Sequence, residues 1–401
     1  MKIAVIQSGN AGFFPRFYSC LKHAAERRSD HVQLFCPNSG LNRRNPINKQ
    51  ILFGSKWNWA IHFNLYKLTG LQDIFSVTDT LDLIRKLKKY NPDIIHLQVV
   101  NAWIINFPLF VKYLNKQHIK VVWTMHDCRA FTGRCAYFDE VNCDKWLTGC
   151  GICPQKKLYW PTRIDSSALE WRIRKCLLTK IHNLTIVTPS QWLANYVKQS
   201  FFSKYPVSVI YNGLDHDKFA RRVTSSKVAD SIPMGIKVVL GVAAQWEYRK
   251  GLSYFNRLAE DFDAKYKIVL VGNMSDTYKN SLHPNIIFWG KAISTEEMIA
   301  LYQRADVFVN PTLADNFPTT NIESLACGTP VVTFKTGGSA ESIDMNSGIA
   351  VPQGDYDALK SAIITVCEQN NGLFSSDNCR DRSECFSLRQ FNKYVDLYHS
   401  L

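Results

Sequence analysis

A chain of 401 residues with 46% apolar content is long enough for two or three domains with sizeable cores. Its charge is uneven: residues 1–210 carry 29 Lys+Arg against 12 Asp+Glu, a balance of +17, and the remainder 19 against 22, or −3, which points to an anionic partner for the first half. No run approaches ~18 apolar residues, so no bilayer-spanning helix is expected, and the opening MKIAVIQ reads as a strand rather than as a secretion signal. The twelve cysteines are accordingly expected as thiols or metal ligands, not as disulfides.

In chain order, residues 2–7 predict a first strand, followed by the loop SGNAGFF and a helix over 17–28. Gly9 and Gly12 either bring backbone close to a phosphate or sugar, or supply a turn with φ > 0. Lys22, Arg27, Arg28, Arg43 and Arg44, with Trp57, Trp59 and Phe63, mix bases with aromatics as a membrane-surface patch does, although no clean amphipathic period runs through them. A solvated basic surface is the other reading. A basic amphipathic helix over 81–90 leads through the turn NPD into a strand over 94–96, where His96 is expected to pack at the strand end. The strand over 121–124 ends in Met125-His126-Asp127. That places His126 at the carboxyl end of a strand, facing the ligand side of an open parallel sheet.

Residues 128–154 interrupt the α/β pattern. Cys135, Cys143, Cys150 and Cys153 form C-x7-C-x6-C-x2-C, and four thiolates suit tetrahedral zinc in a closed structural site. Two disulfides, or thiols packed as small apolar groups, are the alternatives. An insertion with little core of its own would be ordered by such a metal. A strand over 184–189 and a helix N-capped by Ser190 follow, then VSVIYNGLDHDKF at 207–219 with its Asn212-Gly213 turn. The polar residues 220–233 read as a linker. Strands over 237–242, 267–272 and 286–290, a helix over 293–304 and a last helix over 386–401 complete the outline.

The most informative stretch is ADVFVNPTLADNFPTTNIESLACGTPVVTFKTGGSAE, residues 305–341. Residues 307–310 predict a buried strand, Pro318 the start of a helix that runs over 321–327, and residues 331–334 another strand. The free N–H groups of such a helix start welcome an anion. Asp315 in the loop and Glu323 one turn into the helix, seven residues between them, suit hydrogen bonding to two polyols such as a sugar and a ribose.

This stretch resembles the retaining GT-B glycosyltransferases of family 4, whose signature is two acids separated by seven residues and then A-x-G-x-P-V-V; here these are Asp315, Glu323 and A-C-G-T-P-V-V. The first acid is Asp rather than the commoner Glu, one methylene shorter. The family's T-x-H-[DEN], V-I-x-N-G-[VLI]-D-x-x-x-F and K-G elements have counterparts at Thr124 to Asp127, Val209 to Phe219 and Lys250-Gly251. The match covers almost the whole chain and is weakest over 30–80.

The resemblance implies an α/β GT-B fold: two Rossmann-like parallel-sheet domains facing a central cleft. The acceptor-side domain would span 1–205 with the insertion at 128–154, the nucleotide-sugar domain 206–385, and a helix over 386–401 would return to the first. His126 would hydrogen-bond the donor sugar, and the Gly9–Gly12 loop would lie beside donor phosphates and acceptor. Asp315 would act with Lys250 and Arg249 at the transfer centre. Asn316, Phe317, Pro318, Thr319, Thr320 and Glu323 would bind the donor. The family's phosphate-binding Arg is replaced here by Ala244, so Arg249 would have to supply that charge. A subset of polysaccharide-assembly members carries a similar Cys-rich insertion.

The implied activity is transfer of a sugar, with retention, from a nucleotide sugar to a saccharide or lipid-linked saccharide in surface polysaccharide synthesis. No cofactor is expected for catalysis, and zinc only as a structural ion. The expected place is the cytoplasm, at the inner face of the plasma membrane, with an anionic membrane surface as a further partner and no nucleic acid. The rivals are a nucleotide-sugar epimerase of the same fold, an inactive partner of a transferase, and a noncatalytic basic binding protein. The acid pair disfavours the first and is unexplained by the last.

Overall fold

The computed structural model describes residues 1–100, 103–232, 234–368 and 372–401, with the side chains of residues 226, 229 and 230 set aside. The chain divides into two units, Met1–Tyr211 with Gln390–Leu401, and Asn212–Arg389.

The first unit is built on a parallel sheet of seven strands in the order β3-β2-β1-β4-β5-β6-β7. These are β1 Lys2–Ile6, β2 His31–Pro37, β3 Ile51–Phe53, β4 Ile94–Leu97, β5 Lys120–Thr124, β6 Leu184–Thr188 and β7 Val207–Val209. The central strands are buried on both faces, as a sheet covered by helices on either side requires, and so they read as continuous apolar runs; Ile3, Ala4, Val5 and Ile6 have no exposed surface. The order reverses at β1, which pairs with β2 on one side and β4 on the other. Ligand crevices form at such a switch point, outside the carboxyl ends of the strands. There the chain places the Gly9–Gly12 loop and Gln98.

The second unit repeats the plan with six parallel strands in the order β10-β9-β8-β11-β12-β13. They are β8 Lys237–Gln245, β9 Tyr266–Asn273, β10 Ile286–Gly290, β11 Val307–Asn310, β12 Val331–Phe334 and β13 Gly348–Val351. Its switch point lies between β8 and β11. The turn Tyr248–Lys250 and the loop after Asn310 sit at that end.

Three boundaries differ from the expectation. β7 pairs with β6 and completes the first sheet, so the division falls after Tyr211 and not after residue 205. The stretch expected as a linker belongs to the second unit and contains the helix Ser226–Ser231, while Pro233 lies outside the described residues. The irregular insertion runs on past 154 to the helix Ser167–Leu178.

The final helix, Arg389–Ser400, buries Phe391, Tyr394, Val395 and Tyr398 in the core of the first unit, where Phe391 packs on Phe17 at 5.3 Å between ring centres. His399 and the N-terminal ammonium both reach the buried Asp30 carboxylate, at 2.9 and 2.7 Å. Among the described residues no helix is long and apolar enough to cross a membrane.

Candidate functional site

In the second unit, β11 delivers the chain into the loop before the helix Thr319–Ala326, which Pro318 precedes as the capping residue. Pro318 has no side-chain acceptor for the first-turn N–H groups, of which that of Asn321 donates to the Pro318 carbonyl at 3.2 Å. Asp315 stands at this mouth. Lys250 Nζ donates to its Oδ2 at 2.6 Å, and the N–H of Asn316 donates to its Oδ1 at 2.9 Å. Glu323 follows on the helix, half-buried, with the Tyr302 hydroxyl donating to Oε2 at 3.4 Å.

The loop is fixed from two sides. Gly251 has φ +74°, and a Cβ there would lie 2.1 Å from the carbonyl oxygen of Pro311. Gly337 has φ +57°, with the oxygen of Asp315 1.6 Å from a would-be Cβ, and Gly338 N–H donates to the Asn316 carbonyl at 2.7 Å. Only glycine permits both approaches. Asp315, Asn316, Phe317, Pro318, Thr319, Thr320, Glu323, Arg249 and Lys250 are thus assembled in one unit.

Arg249 has contacts within the loop itself. Its guanidinium pairs with Glu247 at 2.6 Å and donates to the Ala314 carbonyl at 2.8 Å, and its own carbonyl accepts from the N–H of Leu313. It braces the loop that carries Asp315. Ala244, where the family has Arg, is exposed near the end of β8.

In the first unit, β4 and β5 end in a polar chain. His126 Nε2 donates to Gln98 Oε1 at 2.5 Å, and Gln98 Nε2 donates to His96 Nε2 at 2.9 Å. The other ring nitrogen of His96 donates to the Tyr398 hydroxyl oxygen at 2.6 Å, in the tautomer that this network assigns. The rings of Phe13, Phe14 and Phe17 enclose His126, all within 6.0 Å, while one edge stays open to solvent. A shallow crevice under it is lined by Gln98, Trp123, Met125, Asp127 and Arg129.

Burial lowers the pKa of His126 to about 4, against the pull of Asp127, and that of the fully buried His96 to about 3, with His126 adding to the effect. Both rings are neutral near pH 7. A neutral His126 is a hydrogen-bonding group rather than a proton donor near that pH. A buried base with a depressed pKa binds fewer protons folded than unfolded, so between pH 6.5 and about 3 stability rises with pH. Thermal denaturation should show stability fully present above pH 6.5 and lost progressively below it. A His96→Gln variant should flatten part of that slope; an unchanged slope would contradict the assignment.

Of the two glycines, Gly12 has the backbone conformation that favours glycine. Gly12 has φ +63° with no atom near a Cβ, whereas a Cβ on Gly9 would meet Leu41 at 3.1 Å with no positive φ. Behind the loop Asn10 is buried, donating to Gln50 Oε1 at 2.5 Å and accepting from Gln7 at 2.9 Å.

Cys135, Cys143, Cys150 and Cys153 lie near one another, and each of the other three raises the Cys135 thiol after the larger effect of burial, to about 12. Burial likewise lifts Cys150 to about 11. Yet among the described residues no group of three or more His, Cys, Asp or Glu side chains is placed to hold a metal ion. The insertion also has more core than expected: Phe131, Phe138 and Trp146 join the main apolar cluster, with Phe138 stacked on Trp146 at 4.9 Å. Beyond it, the buried Arg174 ties Asp73 (2.8 Å) to the carbonyls of Arg129 and Thr132. As a packed thiol, Cys135→Ser should cost about 1–2 kcal/mol by burying a hydroxyl, read by chemical denaturation. Collapse of the fold on that one change would instead mark a metal-held loop.

Gln98, the Gly337–Gly338 loop and Arg174 escaped the sequence reading. Only the Gly-Gly pair carried a signal, in the bare sequence TGG.

A model described as Glycosyltransferase Family 4 matches residues 17–218, and one described as Glycosyl transferases group 1 matches 236–369. The chain is 23% identical over 326 residues to the putative colanic acid biosynthesis glycosyl transferase WcaC of Escherichia coli, covering 77% of each chain. It is 23% identical over 219 residues to the Escherichia coli UDP-Gal:alpha-D-GlcNAc-diphosphoundecaprenol alpha-1,3-galactosyltransferase, covering 50% of this chain and 56% of that one. Among solved structures, sucrose-phosphate synthase from Thermosynechococcus elongatus superposes with a TM-score of 0.72 at 17% identity, covering 100% of this chain and 98% of that one. Anabaena HepE in complex with UDP and glucose superposes at 0.69 and 16%, with both chains fully covered. The last two establish the fold, which is GT-B.

Proposed function

The chain belongs to glycosyltransferase family 4, and from that footing we propose that it moves a sugar, with retention of anomeric configuration, from a nucleotide sugar to a saccharide or lipid-linked saccharide during surface polysaccharide assembly. The observation that carries the reading is the Lys250–Asp315 pair at the open start of the helix that bears Glu323. Lys250 and the uncapped N–H groups are suited to neutralise a leaving diphosphate, and Glu323 to accept hydrogen bonds from ribose hydroxyls.

In this reading the bond from the anomeric carbon to the diphosphate oxygen breaks, and the acceptor hydroxyl bonds that carbon on the same face. Its proton passes to the departing phosphate oxygen. Charge neutralisation falls to Lys250 and the helix start, with no metal required for the transfer, while neutral His126 holds a sugar hydroxyl. The polysaccharide role is supported by the names of the relatives, one from colanic acid synthesis and one acting on a diphosphoundecaprenol acceptor. Such an acceptor would be met at the inner face of the plasma membrane.

The test is product configuration. A diphosphoundecaprenol-linked or soluble saccharide acceptor should yield a new glycoside whose anomeric proton coupling matches that of the donor. An inverted product would refute the front-face reading.

A further inference from the structure

The helix Asn58–Thr69 is an oddity of the first unit. Its sequence, NWAIHFNLYKLT, is mostly apolar, yet only His62 and Tyr66 are buried. A helix apolar around most of its circumference normally lies inside a core or against lipid. Here Trp57, Ile61 and Leu68, at i, i+4 and i+11, form an outward stripe; Trp57 is 68% exposed and Ile61 53%.

The stripe is continued by the end of the insertion. The Tyr66 hydroxyl donates to the Trp160 carbonyl at 2.6 Å, and the N–H of Arg163 donates to the Lys67 carbonyl at 3.0 Å. A Cβ on Gly70 would touch the Ile164 carbonyl. These contacts set exposed Leu158, Trp160 and Ile164 beside the helix.

The charges on this face have one sign. Lys56, Lys67, Lys157 and Arg163 are exposed, and no acid occurs from 54 to 70. The nearest acid on the second segment, Asp165, is turned inward, accepting from the N–H groups of Cys153 at 2.6 Å and Ser167 at 3.0 Å. On other faces of this unit Lys22 pairs with Glu26, Arg28 with Asp396 and Lys86 with Asp82.

We infer that this face, the helix Asn58–Thr69 with the segment 158–164, is where the protein lies on an anionic lipid surface. Exposed aliphatic side chains enter the acyl boundary, tryptophans settle at headgroup depth, and the ammonium and guanidinium groups meet lipid phosphates. It rests on the proposed function for its purpose, bringing the first unit to a lipid-linked acceptor. Vesicle binding itself does not depend on that activity.

The experiment is co-sedimentation of the full chain with vesicles of phosphatidylcholine, with and without phosphatidylglycerol. Binding should require phosphatidylglycerol and weaken with salt. Lys67→Gln with Arg163→Gln should weaken it about 25-fold, near fivefold for each lost charge. Trp57→Ser with Ile61→Ser should abolish it while circular dichroism and nucleoside diphosphate release with a soluble acceptor stay unchanged. Absence of pelleting, or pelleting indifferent to both double variants, would overturn the inference. So would a vesicle-free dimer that Trp57→Ser with Ile61→Ser dissolves, which would mean the face is covered by a second copy. If vesicles bind as expected but no nucleotide sugar is turned over, the surface stands and the transferase reading fails.

Discussion

Glu323→Ala is expected to weaken nucleotide-sugar binding by about 1.5–3 kcal/mol, the usual loss when a ligand's hydrogen bonds to a charged group are removed. Glu323 sits one turn into the helix Thr319–Ala326, whose start faces the Asp315 loop. The Tyr302 hydroxyl donates to its Oε2 at 3.4 Å, a long bond whose loss should leave the fold standing. Titration calorimetry with the preferred donor reads the effect, and melting temperature checks the fold. Donor affinity equal to wild type would remove Glu323 from the site.

Lys250→Ala should lower turnover by about 10²–10³, the scale for losing one preorganised partner of developing negative charge. It also leaves Asp315 with the Asn316 N–H but without its cation. Arg249→Ala separates two ideas. If its guanidinium only braces the loop through Glu247 and the Ala314 carbonyl, the variant should lose about 1 kcal/mol of stability and show a raised KM with kcat little changed. If it also replaces the charge missing at Ala244, kcat should fall as it does for Lys250→Ala, and Ala244→Arg should raise it. The geometry favours the brace. Near-wild-type rates in both alanine variants would refute the diphosphate assignment.

Much of the fold was legible because its sheets are parallel and buried. Such strands are short apolar runs, and β10, β11 and β12 occur as the sequence predicts. The loop between β11 and β12 was legible for another reason: Asp315, Glu323 and the glycine after the helix sit where covalent spacing alone fixes their order. What escaped depends on contacts distant in sequence. Gln98 acquires meaning only when β4 and β5 pair and bring His96 and His126 to its two ends. Gly337 matters because Asp315 closes on it from 22 residues earlier. β3 and the helix Asn58–Thr69 lie where the family likeness is weakest, and that helix lacks a period because its apolar side chains do not face one core. The insertion read as a loop with little core because its apolar residues are scattered, whereas Phe131, Phe138 and Trp146 pack into the main cluster.

The central claim is that the second unit holds a nucleotide sugar through Lys250, Asp315 and Glu323 and that the chain transfers its sugar. The most direct measurement is nucleoside diphosphate release from a panel of nucleotide sugars, with saccharide acceptors, by wild type and by Glu323→Ala. The account predicts that one donor is turned over by the wild type, with diphosphate matching new glycoside, and that Glu323→Ala needs more of that donor. Release from no donor in the panel, together with no measurable donor binding, would contradict it.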